Sequence, residues 1–260
     1  SYLGNSLASI ATEKVAIVKD DGTLITGPLP AAAEGPITAR TVETGTRWIR
    51  CGEHYKVTSA QRAVGGWVAD VSGIHADYED IFLPLHGRHQ VDHLATTIAA
   101  AESFFGRGID PAAVAEAVRT VASPGRIEVL GRHPLIIADG AHNEEGLTGL
   151  ATALAEEFPE SECLLVVGFR GERDATALLA PLVGLVGEVI ATAPDDAAAV
   201  PAEDVAAAAR SVFGPEVPVE VVTPVAQATT EALDRVGGDG TVVISGSLYV
   251  VGEARARLLR

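Results

Sequence analysis

Pro134-Leu135-Ile136-Ile137-Ala138-Asp139-Gly140-Ala141-His142-Asn143 is the stretch that decides how this chain folds. An apolar, strand-length run stops at an aspartate. A glycine turn follows, placing a histidine three residues on with an asparagine beside it. Thirteen residues upstream of Asp139, the break Ser123-Pro124-Gly125 delivers Arg126. Near the C-terminus a second apolar run, Thr241-Val242-Val243-Ile244-Ser245, closes on Gly246-Ser247. Strand ends that present Asp, His and Gly-Ser ahead of helix starts are where α/β proteins hold phosphorylated ligands.

Working outward, strands alternate with helices after residue 122. The pattern predicts strands at 127–130, 135–138, 163–167, 188–192, 219–222 and 241–245. Helices are expected near 144–157, 174–184, 202–213, 226–236 and 249–259. This alternation is the signature of a mostly parallel sheet with helices on both faces, an α/β fold. The domain boundary is therefore placed at 122, giving segments 1–122 and 123–260.

The first segment is less regular. Residues 5–13 read as a short helix, and Val15 to Val18 as a short apolar strand. Residues 20–86 look rich in strands and turns, with strands at Arg47–Cys51, Gly66–Val71 and Asp80–Leu85. Val91, Leu94, Ile98 and Ala101 share one face of a helix over 90–106. Asp110-Pro111 is an N-cap with proline at the first helical position, opening a helix to Val121.

Bulk properties exclude several classes. Of 260 residues, 47% are hydrophobic and 21% charged, so a sizeable core can form and disorder is not expected. The net charge of −16, with only three lysines, repels nucleic acid and anionic lipid. Two cysteines, Cys51 and Cys163, make no disulfide framework and lack metal-ligand spacing, so they read as reduced thiols of a cytoplasmic protein. No apolar run approaches a membrane span, and Ser1 to Ser6 has no signal-peptide character.

The candidate residues each have a plainer reading. Asp139 can accept from ribose hydroxyls, or simply cap the next helix. His142 can meet a phosphate or base edge, or lie exposed on its loop. Arg126 can reach a phosphate in an interdomain cleft, or be a solvated arginine. Ser247 can bind an anion at a helix start, or only cap that helix. Lys14 can be a functional amine whose burial lowers its pKa, or a snorkelling surface lysine. His89 and His93 lie i, i+4 with His86 nearby, a spacing open to metal but without the Glu of a metalloprotease motif. The loop Gly168 to Asp174 fails the dinucleotide glycine pattern, with Asp174 a good N-cap. No nucleophile elbow occurs.

Together these segments resemble the folylpolyglutamate synthase and dihydrofolate synthase family of the Mur ligase superfamily. The resemblance runs over nearly the whole chain. It rests on Leu3-Gly4-Asn5-Ser6, Ile10 to Ile17 with Glu13-Lys14, Gly87-Arg88-His89-Gln90, Pro124-Gly125-Arg126, Asp139-Gly140-Ala141-His142-Asn143 and Ser245-Gly246-Ser247. It implies a Rossmann-like, doubly wound C-terminal domain at 123–260, preceded by the C-terminal part of an α/β central ATPase-type domain at 1–122. It implies ATP and Mg²⁺, an acyl phosphate, and attack by the amine of L-glutamate on a folate or dihydropteroate. By position, Lys14 matches a lysine that is carbamylated to hold Mg²⁺. Arg126 and Asp139 match nucleotide contacts, His142 the junction of nucleotide and glutamate, and Ser247 a glutamate contact. The intact enzyme is expected to be a cytoplasmic monomer.

The departures are also informative. Glu13, Val18 and Tyr55 precede the three lysines, so no Walker A loop lies within these residues. The chain is therefore expected to be part of a longer ligase and inactive alone. A split-enzyme or regulatory partner, and a sister ligase acting on cell-wall precursors, are the competing readings. Segment 123–260 is expected to fold by itself, whereas 1–122 should expose strand edges and apolar surface.

Overall fold

The computed structural model describes residues 6–159 and 162–259. The Leu3 to Asn5 part of the first motif, and the start of the expected helix at residue 5, lie outside them. The chain divides into two compact units, 1–84 with 88–121, and 85–87 with 122–260.

The first unit opens with α1 (Leu7–Val15), capped by Ser6. It continues through β1 (Thr23–Thr26), α2 (Ala31–Thr44) and β2 (Arg47–Arg50). β1 and β2 pair in parallel as a two-stranded sheet. Ala11, Val15, Val18, Ala33 and Ile37 form the core between α1 and α2, with Leu24 and Trp48 packed against it. An antiparallel sheet follows, from β3 (Lys56–Ala63), β4 (Gly66–Ser72) and β5 (Asp77–Leu83). Then come α3 (His89–Phe105) and α4 (Pro111–Arg119). Ile17, Val42, Val64, Phe104 and Phe105 are exposed. Two strands alone bury little, because a parallel pair normally needs cover on both faces.

One expectation fails in this unit, and within the strand- and turn-rich stretch 20–86 three elements are not individually expected from sequence. Val15 to Val18 is not a strand: Val15 ends α1 and the chain then turns. Val15 and Val18 turn inward at a helix end while Ala16 and Ile17 are exposed, a pattern that a four-residue apolar run cannot distinguish from a strand. Helix α2 lies inside the stretch 20–86 that reads as strands and turns, and it contains the helix-disfavouring Gly35 and Pro36. Ala33, Ile37, Thr41 and Thr44 nevertheless recur at helical spacing and are buried, so burial outweighs the hydrogen bond that Pro36 cannot donate. β1 and β3 were not recognised, since their polar residues interrupt any apolar alternation.

The second unit contains β6 (Glu128–Arg132), β7 (Leu135–Ala138), α5 (Glu144–Glu157), β8 (Cys163–Val167) and α6 (Ala175–Leu179). It continues with β9 (Val186–Ala191), α7 (Ala202–Phe213), β10 (Val219–Val221), α8 (Val225–Val236), β11 (Thr241–Ser245) and α9 (Leu248–Leu258). The expected helix over 174–184 stops early at a 3₁₀ turn, 180–182, because Pro181 cannot donate to Ala177.

The strands form one sheet in the order β10-β9-β8-β11-β7-β6, parallel except for the β6–β7 pair. Every residue of β8 is buried, as expected of a strand covered on both faces. On one face Leu147 and Leu150 of α5, Leu178 of α6 and Val205 of α7 join the core. On the other, Val225 and Ala228 of α8 and Val250, Val251 and Ala254 of α9 do so. β11 returns between β7 and β8, and the helix after it lies on the opposite face from those after its neighbours. Loops therefore part at the C-terminal tips of β7, β11 and β8, where such sheets leave a crevice.

Candidate functional site

The site grows from the tip of β7. Asp139 continues the ladder through its N–H to Ile244 O at 2.9 Å and is nearly buried. Its carboxylate organises two turns. Oδ2 accepts the Ile127 N–H and Oδ1 the Ala141 N–H, both at 2.8 Å. The Pro-Gly-Arg turn is stitched to the same place by Gly140 N–H donating to Gly125 O at 2.8 Å. Arg126 lies beside Gly140: a Cβ on that glycine would fall 3.0 Å from Arg126 Nη1 and overlap Leu248 Cδ2. Glycine thus lets the Arg126 and Leu248 side chains approach this backbone closely.

His142 is exposed, and its Nδ1 lies 2.9 Å from Gly140 O. A carbonyl only accepts, so Nδ1 carries the proton and Nε2 is the acceptor of the neutral ring. Asn143 caps α5 by accepting the Gly146 N–H at 2.8 Å.

β11 adds the third tip. Ser247 is buried and caps α9, its Oγ accepting the Val250 N–H at 3.2 Å. Gly246, at φ 101°, passes so close to β8 that a Cβ would lie 2.5 Å from Gly168 O. Leu248, the first residue of α9, packs toward both Gly125 and Gly140. Arg126, Asp139, His142 and Ser247 are therefore gathered at adjoining strand tips, with Asp139 and Ser247 each holding backbone as well.

Sequence reading missed a neighbouring group. Arg170, after β8, makes a two-pronged ion pair with Asp196 after β9, at 2.7 and 3.1 Å. Its guanidinium also stacks 4.1 Å from the ring centroid of half-exposed Tyr249, two residues after Ser247. Hydrogen bonds from Arg170, then from Ala198 N–H, hold the Asp196 carboxyl below the usual aspartate range. No local spacing links 170, 196 and 249, so only sheet order could reveal them.

Lys14 lies in the first unit, exposed in the last turn of α1. The histidine cluster is divided. His86 belongs with the second unit, 2.8 Å from Glu157, whereas His93 pairs with Gln90 at 3.2 Å in the first. Among the described residues no three His, Cys, Asp or Glu side chains gather to hold a metal ion. These residues do not by themselves make a site for Mg²⁺. No described helix is long and apolar enough to cross a membrane.

A doubly wound sheet with Asp, His and Gly-Ser at its central tips defines a class, and comparison agrees. Residues 125–248 match the family described as Mur ligase, glutamate ligase domain. These residues belong to a Mur ligase C-terminal domain, and the chain is a homologue of the folylpolyglutamate and dihydrofolate synthases. It is 32% identical to the dihydrofolate synthase/folylpolyglutamate synthase of Mycobacterium tuberculosis, over 98% of this chain and 57% of that protein. It is 27% identical to the folylpolyglutamate synthase of Lacticaseibacillus casei, over 99% of this chain and 59% of the relative. A solved structure, Mycobacterium tuberculosis folylpolyglutamate synthase complexed with ADP, superposes with a TM-score of 0.93 at 32% identity, covering all of this chain and 61% of that one. The chain thus spans about three-fifths of the length of these relatives.

Proposed function

We propose that this chain is part of an ATP-dependent ligase that joins L-glutamate to a folate or dihydropteroate through an acyl phosphate. In this reading residues 1–122 are the C-terminal part of the central domain and 123–260 the C-terminal domain. The observation that carries it is the Asp139 carboxylate bridging the Arg126 turn and the His142 turn, in a chain similar to a synthase solved with ADP.

The chemistry is consistent with that role. Asp139 is held rigidly enough to accept from ribose hydroxyls, since each carboxylate oxygen takes more than one bond. Arg126 spends one weak N–H on Gly125 O, at 3.3 Å, and offers the rest of its fork to a phosphate. His142 presents Nε2 where nucleotide and glutamate meet, with its tautomer set by Gly140. The start of α9, with Ser247 as its cap, suits a glutamate carboxylate. Lys14, carbamylated, would give one Mg²⁺ ligand.

The test is a titration of the 260-residue chain with ADP, followed residue by residue by amide NMR. Saturable shifts are expected at 125–127, 139–142 and 246–249. Shifts elsewhere, or none at millimolar ADP, overturn the reading. With ATP, Mg²⁺, glutamate and a folate, the same chain is expected to release no ADP above background, because it lacks a Walker A cradle for the β- and γ-phosphates.

A further inference from the structure

The turn that carries Arg126 is held from outside itself. Glu128 Oε2 accepts the Gly125 N–H at 2.9 Å. The same carboxylate is gripped by Arg255 in the last turn of α9, Nε to Oε2 at 2.8 Å and Nη2 to Oε1 at 2.9 Å. Both side chains are partly buried, at 30% and 21% exposure, so solvent screens the pair less than an open surface bridge. From the other side, Asp139 takes the Ile127 N–H and Gly140 bonds to Gly125 O. Residues 125–127 are clamped on both flanks.

The clamp has something to oppose. Gly125 sits at φ 68° and Ile127 at φ 47°. A β-branched residue in the left-handed region persists only where its surroundings over-determine it. Helix α9 supplies much of that determination. Its first residue, Leu248, and then Val251 face Gly125, and one turn further Arg255 fixes the carboxylate.

We propose that Glu128 and Arg255 are positioning residues, whose two-pronged pair sets the Gly125–Ile127 turn and through it the place of the Arg126 guanidinium. Neither is hydrogen-bonded to the Arg126 side chain; they act through the backbone. The nucleotide part of this inference rests on the function proposed above.

The experiment compares the 260-residue chain with Arg126→Ala, Arg255→Ala, Arg255→Lys, Glu128→Ala and the double variant Arg126→Ala/Arg255→Ala. Amide hydrogen exchange and ADP affinity are read on each. Arg255→Ala and Glu128→Ala are expected to speed exchange at 125–127 while β8 and β11 stay protected. They should weaken ADP roughly three- to tenfold, with Arg255→Lys in between. The double variant should bind no more weakly than Arg126→Ala, because the effect runs through that side chain. Unchanged exchange at 125–127 overturns the inference, as does an additive double variant or an exchange increase spread over the whole unit. If Arg126→Ala leaves ADP binding unchanged, the nucleotide reading fails. The exchange data then still decide whether the pair holds the turn.

Discussion

Asp139 Oδ2 accepts the backbone N–H of Ile127 at 2.8 Å, and Ile127 is held at φ 47°. A buried carboxylate thus stabilises a conformation that isoleucine avoids, and the prediction follows from which term is larger. Asp139→Ala strands the Ile127 and Ala141 N–H groups and should cost roughly 2–4 kcal/mol. Ile127→Gly relieves about 1–2 kcal/mol of left-handed strain. It also deletes a side chain that is 2% exposed, which costs about 3–5 kcal/mol. Burial wins, so this variant should be less stable too. Urea unfolding followed by circular dichroism checks both. Tryptophan fluorescence would not serve, since Trp48 and Trp67 lie in the first unit. A stabilised Ile127→Gly would mean that strain, not packing, dominates.

Two glycines should respond differently to alanine. At Gly246 the added Cβ meets a backbone carbonyl at 2.5 Å with φ 101°. Nothing there can yield, and Gly246→Ala should lose more than about 3 kcal/mol. At Gly140 it meets the far end of Leu248, which is 47% exposed and can rotate away. Gly140→Ala should cost about 1 kcal/mol or less, yet weaken ADP binding by crowding Arg126. Thermal melts paired with ADP titrations separate the cases; equal destabilisation of both would refute the distinction.

Asp196 provides a pH test. Its folded pKa is lowered, first by the Arg170 hydrogen bond. Such a group contributes stability above its unfolded value, about 3.9, and loses it as pH falls through the lower folded value. The Asp196 carboxyl resonance should therefore titrate below the ordinary aspartate midpoint. Arg170→Ala should move it back up and free the Tyr249 ring. An unmoved midpoint in that variant would show that Arg170 is not the cause.

The thiols should be inert. Cys163 is 3% exposed and burial pushes its pKa up to about 12. At pH 8 only about one molecule in ten thousand would carry that thiolate. Burial, then Asp92, also raises the partly buried Cys51. Disulfide-exchange reagent at pH 8 should modify Cys51 slowly and Cys163 only after unfolding. Fast modification of two thiols in the folded chain would contradict this.

How much was legible follows from what each signal measures. The runs 135–138, 163–167 and 241–245 announced buried parallel strands because both faces are covered, so consecutive central positions are apolar. Asp139, His142, Arg126 and Ser247 stood out because turn chemistry after such runs is local. Helix α2 was obscured where proline and glycine, local signals too, were overruled by a buried face. The pairs Glu128 with Arg255 and Arg170 with Asp196 had no local signal.

The order of residues along the chain alone determined the alternation of strand and helix in the second unit and the polar residues at the strand tips, since hydrophobic period and turn preference act over a few residues. Only the tertiary structure decided which tips are neighbours. Inserting β11 between β7 and β8 brings Gly246-Ser247 beside Asp139, and laying α9 across the sheet carries Arg255 to Glu128. Those contacts join residues more than a hundred positions apart, and their geometry arises from packing a twisted sheet between two helix layers, which no short window of sequence contains.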